Sequence, residues 1–406
     1  MSDENDTAPA PTPPPEEHSA QVPPPVKGGR PGPGKLVLLL AVVVALAVAS
    51  RAGSAVGSAT LFIVVITGLV LVHEAAHFMT ARLFGIRVLE FGVGFPPRIG
   101  AVRWGEVEYS VNWLPLGGFV RLLGEEDPSD PRSLAAAAAW KRFIVLASGA
   151  VINLILPVLL FSIAFMLPHE ESAARAVITE VVPGAPAALA GLEAGDVIYE
   201  IGGRDVKNVT ETGRLVHLNQ GREIDVRVRR AGEFVTVPVE PRWAPPEGEG
   251  PTGISIAAQY PFTDTIALPP WKAAGEGLQA TIDSMILFRN EVIGWTKGSR
   301  VPPVAGPVGI AQTTGEVARE GGISPLLSLA AVLSINLGVL NLLPLPMLDG
   351  GRIFFLLIEV ARRGKRVAPE REALVHLAGF VVFIGLAVVI TFADIVRIAN
   401  GESLFR

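Results

Sequence analysis

The sequence predicts a polytopic α-helical membrane protein of about five spans, with a membrane-associated β-hairpin region and an inserted extracytoplasmic α+β domain. Three observations predict it. Half of the 406 residues are hydrophobic and the mean hydropathy is positive. Apolar runs near spanning length recur at 36–50, 59–83, 140–167, 327–358 and 373–393. One segment between them, 174–242, changes to short alternating stretches separated by turn residues.

Residues 1–34 are rich in proline and glycine and nearly free of large apolar side chains, which predicts a disordered cytoplasmic tail. An extra N-terminal transmembrane helix follows within 35–58. A signal-peptide core would read similarly, but the long polar tail before it is unlike a short positive leader. Residues 59–168 form the first part of a membrane core: a span, a loop and a second span. Within that loop, 85–124 alternates in VEYSVNW and FVRLL between glycines and prolines, the pattern of a hairpin tucked against the membrane.

The inserted segment 174–242 combines alternating strands, the small-residue helix AALAGL, the Gly195-Asp196 turn and a hairpin at Ala231-Gly232. Residues 243–302 read as a linker and an amphipathic surface helix, with Trp271 and Trp295 as interfacial anchors. The rest, 303–406, completes the membrane core. Positive charge clusters from Arg82 to Arg142 and from Arg352 to Arg371 mark cytoplasmic loops, leaving the inserted domain outside. The net charge of -5 gives no sign of nucleic-acid binding. Absence of cysteine excludes disulfides, thiolate metal sites and cysteine-protease chemistry.

The chemistry concentrates in LFIVVITGLVLVHEAAHFMTARLFG. His73 and His77, four apart on a helix, share one face and can reach one metal ion, while Glu74 faces the adjacent water. Ionisable residues in a spanning segment cost several kcal/mol unless paired or hydrated, so three within five positions are hard to explain as packing. Zinc catalysis takes three protein ligands and leaves one position for water. The remaining histidines lie in the tail, in or beside the soluble segment, or at the start of the last span. Asp349 is a better third ligand, an unpaired acid in an apolar run just after Pro344 and Pro346 interrupt the helix. The competing reading is an aspartate capping a helix at the membrane boundary.

HEAAH at 73–77, NLLPLPMLDGG from Asn341 to Gly351, PLGGFVRLLGE from Pro115, SGAVIN ending at Asn153 and AGPVGIA at 305–311 together resemble the site-2 proteases, intramembrane zinc metalloproteases, and in particular the bacterial regulator of sigma-E protease type. The resemblance covers most of the chain after residue 59. It implies one zinc ion on His73, His77 and Asp349, Glu74 as general base, and Asn341 and Asn153 touching substrate or steadying the site. Family members commonly begin with the HExxH span, so the extra first helix is a departure. The inserted segment resembles a circularly permuted PDZ domain, a fold that accepts a peptide at a sheet edge. Its candidate role is a filter admitting substrates already shortened outside the membrane; a spacer is the alternative.

The expected reaction is hydrolysis of a peptide bond within or near the transmembrane segment of a single-pass protein in the bacterial cytoplasmic membrane. Anti-sigma factors or remnant signal peptides are the substrates the resemblance suggests, after a first cut by a site-1-type protease. Glu74 takes a proton from water and returns it to the leaving amine, and Asn341 offers a hydrogen bond to the developing oxyanion or the substrate backbone. Gly117, Gly118, Phe119 and Val120 are candidates to hold an unwound substrate segment by strand pairing. Two rivals stand beside this reading, an inactive membrane-anchored PDZ scaffold and a zinc transporter. Glu74 beside an intact ligand set argues against the first, and the inserted domain against the second.

Overall fold

The computed structural model describes residues 55–260, 262–299 and 305–401. The expected tail and the expected first span lie outside these residues. Four described helices are long and apolar enough to cross a membrane: α1 (Ala55–Leu83), α2 (Ala139–Met166), α7 (Ile323–Leu342) and α9 (Pro369–Ala399). At 1.5 Å per residue, a 28-residue helix such as α2 reaches about 42 Å, more than a bilayer core.

The expected span at 327–358 is two helices. The chain leaves α7 at Leu342, turns through 343–348 and re-enters a helix at α8 (Asp349–Ala361). Pro344 and Pro346 cannot donate to a helical ladder, and Met347 takes a positive φ of 74° that no helix contains. Gly350 and Gly351 let the helix start directly beneath this turn. A Cβ on Gly350 would lie 2.0 Å from the Leu343 carbonyl oxygen, and one on Gly351 2.4 Å from that of Leu345.

Small residues bring the spans together, as expected where lipid removes the hydrophobic drive for helix association. Gly338 of α7 meets the Ala150 carbonyl and Leu154 of α2, and the buried Ser334 hydroxyl donates to the Asn153 carbonyl at 2.8 Å. Another helix, α6 (Pro307–Glu320), packs between α1, α7 and α9. Its segment was expected only as a motif. Hydropathy does not single it out, because its buried positions are Gly309, Thr313, Thr314 and Gly315. The AGPVGIA glycines have a packing reason: Cβ atoms at Gly306 and Gly309 would strike the carboxylate of Asp394, which accepts the Gly309 amide at 2.7 Å.

The membrane-side hairpin comprises β1 (Val88–Trp104) and β2 (Val107–Leu122), both bent into two arms. Residues 90–93 pair with 108–111 on one side and with 118–121 on the other, and 98–104 returns to pair with 107–112. The arm 118–122 therefore pairs along one side only and lies against α1.

A second body follows α2. Strands β3 (His169–Ser172) and β10 (Thr263–Ile266) pair at its base, so the chain leaves and rejoins the helices at one place. Between them come β4 (Arg175–Val181), α3 (Pro186–Leu189), β5 (Val197–Ile201), β6 (Arg204–Asp205), α4 (Val209–Leu218), β7 (Ile224–Arg230), β8 (Glu233–Val239) and β9 (Ile254–Gln259). The sheet runs β8-β7-β5-β4-β9, with β6 on β5. Ile178, Ile198, Ile201, Leu215, Val228 and Val239 fill its core. Strand β9 corrects the expected boundary at 242, since residues assigned to the linker complete the sheet. Its sequence ISIAAQ alternates for only a few positions before the alanines blur the pattern.

Helix α5 (Pro270–Thr296) also departs from the expected surface helix. Ala273, Gly277 and Thr281 seat it on α2, with a Cβ at Gly277 falling 2.8 Å from the Val158 carbonyl. Its next turns hold the sheet domain through polar contacts. Buried Asp283 accepts from Arg204 at 2.9 Å and Arg214 at 2.7 Å, and Asn290 donates to the last carbonyls of α4, those of His217 and Leu218. Trp271 and Trp295 are exposed.

Candidate metal centre

Three helices, α1, α2 and α8, meet around one group of polar side chains. The two histidines come from α1, where the four-residue spacing aligns them, and are buried to 6% and 8% exposure. Asp349 comes from the first turn of α8. It does not cap that helix, whose N-cap position is Leu348 without a side-chain bond. Its Oδ2 lies 3.0 Å from His73 Nε2 and 3.1 Å from His77 Nε2, and the two Nε2 atoms are 3.1 Å apart.

The protonation of the rings follows from their other nitrogens. His77 Nδ1 donates to the Val145 carbonyl of α2 at 2.7 Å, which leaves Nε2 as a bare lone pair. The amide of Asn153, fully buried, lies 3.2 Å from His73 Nδ1. The amide atom at that distance is Nδ2, with Oδ1 left as a buried oxygen without a partner; with the amide turned over, Oδ1 accepts the Nδ1 proton and Nε2 is left bare, as at His77. Two bare nitrogens and a carboxylate oxygen within 3.1 Å of one another repel unless a cation sits among them. Tetrahedral zinc with bonds of about 2.1 Å sets its ligand atoms about 3.4 Å apart, close to this triangle.

Gly149 of α2 supplies the space. A Cβ there would fall 2.3 Å from His77 Nε2 and 2.6 Å from His73 Nε2, the region that a shared ion would occupy. The residues therefore fit zinc, with three protein ligands and a fourth position left for water. Of the described residues, these three form the group that can hold a metal.

Glu74, next to His73, sits at the rim of the triad, and the Val120 backbone amide faces its carboxylate. Gly118 permits this: a Cβ there would lie 2.8 Å from the Gly92 carbonyl and 2.9 Å from Leu71, and 3.7 Å from Glu74 Cγ. Gly117, at φ 125°, lies against Val70. Phe119 stacks on Phe95 at 6.3 Å and covers Gly92, so its ring faces its own sheet. Asn341 is brought less close. Its amide donates to the Leu337 carbonyl one turn back, and no hydrogen bond among the described residues joins it to the triad.

Gly149 carries the site as much as its ligands do, yet sequence reasoning named it only within SGAVIN. Its signal was spacing: Gly149 and Asn153, four apart on α2, face His77 and His73 in turn.

The sequence matches the model of peptidase family M50 over residues 61–386. It is 36% identical over 332 residues to a Clostridium perfringens protein provisionally named a zinc metalloprotease, covering 81% of this chain and 96% of the relative. A relative in Agrobacterium fabrum with the same provisional description is 32% identical over 358 residues, covering 82% and 94%. Zinc metalloprotease RasP of Geobacillus kaustophilus is 29% identical over 418 residues, covering 82% and 96%. A family match across most of its length, together with two histidines and an aspartate poised for one metal ion, identifies the chain as a member of peptidase family M50, zinc metalloendopeptidases of the site-2 protease type.

Proposed function

We propose that the protein cleaves single-pass membrane proteins within or near their transmembrane segments, with zinc held by His73, His77 and Asp349 and with Glu74 as general base. The observation that carries this is a buried metal triad with a carboxylate beside it, on helices of membrane-spanning length. Zinc held by these residues would supply a Lewis acid and make water there acidic enough to give up a proton near neutral pH. Glu74 takes the proton from the attacking water and delivers it to the leaving amine. Val145 and Asn153 keep the imidazoles turned inward, and the Val120 amide steadies Glu74 between transfers.

A helical substrate hides its peptide bonds in its own hydrogen bonds. The arm 118–122, paired along one side and next to Glu74, offers a backbone edge on which an unwound segment can be held. Asn341 then contacts substrate on the far side. The inserted domain reads as PDZ-like, with β9 as an edge strand near α4, and acts as a filter for substrates trimmed by a first protease. The positive charge of the loops after α1 and after α8 supports an active site toward the cytoplasmic face of a bacterial membrane, with the inserted domain outside.

The test is cleavage of a tagged single-pass substrate by purified protein in detergent. Wild type cleaves and chelator stops it; Glu74→Gln keeps zinc without turnover, and His73→Ala loses both. Normal cleavage by either variant refutes the assignment.

A further inference from the structure

The turn that presents Asp349 is held from outside its own helices. Met347 has a left-handed backbone, which for a side chain of this size needs support from its surroundings. Its N–H points out of the turn, away from any helical ladder. With no helical carbonyl to take it, this donor is left to a side chain. The partner is His376 Nδ1, 2.8 Å away on α9. Three residues later on the same face of α9, Gly379 leaves room for the ring of Pro346; a Cβ there would lie 2.2 Å from Pro346 Cβ. Two successive turns of α9 thus grip the two residues Pro346 and Met347, which stand three and two positions before Asp349.

We infer that His376 is a positioning residue for the metal centre: by accepting the Met347 amide it fixes the turn that sets Asp349 against both histidines. The inference rests on the metal-binding reading above. Acceptance through Nδ1 puts the ring proton on Nε2, which has no hydrogen-bond partner and lies 3.8 Å from Glu372 Oε1. Among the described residues, His376 makes no hydrogen bond or ion pair with the triad. Its effect passes through two backbone links, and the other end of α9 is fixed separately, by buried Asp394 accepting the Gly309 amide.

The experiment uses the full chain in detergent and measures zinc affinity by competition with a chromogenic chelator, alongside cleavage at limiting and saturating zinc. His376→Leu removes the acceptor and is expected to weaken zinc roughly 10- to 100-fold, the range for partners that orient metal ligands. Excess zinc should recover most of its turnover. His376→Asn places Oδ1 where Nδ1 was and is expected to stay within about threefold of wild type. Gly379→Ala, which pushes on Pro346 from the next turn, should weaken zinc in the same direction. Wild-type affinity in His376→Leu overturns the inference. Should His376→Leu fail to fold, His376→Asn and His376→Gln decide, since only the shorter amide reaches the Met347 N–H in the original place; equal affinities overturn it. Failure of the underlying reading looks different, because wild type itself would then bind no zinc.

Discussion

Gly149→Ala tests the metal centre without touching a ligand. The added methyl would start 2.3 Å from His77 Nε2 and 2.6 Å from His73 Nε2. Ordinary carbon contacts need about 3.5 Å, so α2 and α1 would have to separate by on the order of 1 Å. Metal ligands tolerate displacements of about 0.2 Å, several times less than that. The same movement stretches the His77 to Val145 hydrogen bond and the Asn153 contact that aim the rings. The expected result is at least a 100-fold loss of zinc affinity, by comparison with the roughly 10- to 100-fold cost of losing one orienting partner. Zinc per chain after dialysis is the assay, with the thermal melt of the metal-free protein as the check on folding. Gly68→Ala is the control: it lies on α1 five residues before His73, with open space where its Cβ would go, and should leave zinc unchanged. One equivalent of zinc bound to Gly149→Ala with wild-type affinity would refute the reasoning.

Gly118→Ala should separate base from metal. Its methyl disturbs Gly92, Leu71 and the approach to Glu74 and leaves the triad alone, so turnover should fall while zinc stays at one equivalent; loss of zinc would contradict the geometry. Asp283→Ala strands Arg204 and Arg214 at the seam between α5 and the sheet domain. The expected cost is about 2 kcal/mol, below that of a fully buried pair because the arginines keep a third of their surface in water. Faster hydrogen exchange in α4 and β6 with zinc affinity intact would be the signature, and unchanged exchange would rule the clasp out. Burial opposes the charge of Asp196, but Arg230, bonded at 2.7 and 2.8 Å, and the Glu193 amide outweigh it and hold the carboxyl below the usual carboxylate range. A folded pKa below the unfolded one gives stability that is present above about pH 4 and lost as pH falls through the folded value. Asp196→Asn should therefore flatten the acid limb of unfolding of the sheet domain, and identical acid limbs would show that the pair contributes nothing.

What the sequence made legible was whatever alters a hydropathy run. His73, Glu74 and His77 interrupt one apolar stretch and could be named from spacing and cost; Asp349 interrupts another beside two prolines, which made it a candidate, and the family resemblance supplied its role as a ligand. The helices α1, α2 and α9 begin and end near the edges of their apolar runs for the same reason. Elements that bury small or polar residues left no such mark. The buried face of α6 is glycine and threonine, α5 fixes the sheet domain with Asp283 and Asn290, and β9 ends in alanines. Asn153 was legible as part of a motif; its contact with His73 Nδ1 required knowing that α2 crosses α1 at Gly149.

That crossing shows how a polar site can be assembled among lipid-facing helices. Burial of apolar surface does not favour one helix contact over lipid, so close backbone approach must supply the specificity. The glycines mark where it does. Gly149 admits α2 to the histidines, Gly118 admits the hairpin arm to Glu74, Gly350 and Gly351 fold α8 under its own turn, and Gly379 admits α9 to Pro346. At the first of these approaches a backbone carbonyl and a buried amide orient the histidines; at the second a backbone N–H faces Glu74; at the last α9 takes up the Met347 N–H. Each glycine thus omits a side chain where two segments meet, and at Gly149, Gly118 and Gly379 the close approach also brings up a polar group, from backbone or side chain, that pairs with a polar atom at or next to the site. Alanine at these positions is accordingly expected to damage the centre more than alanine at Gly68 or Gly385, where nothing lies within 4 Å of the added carbon, even though all are single-methyl changes in apolar segments.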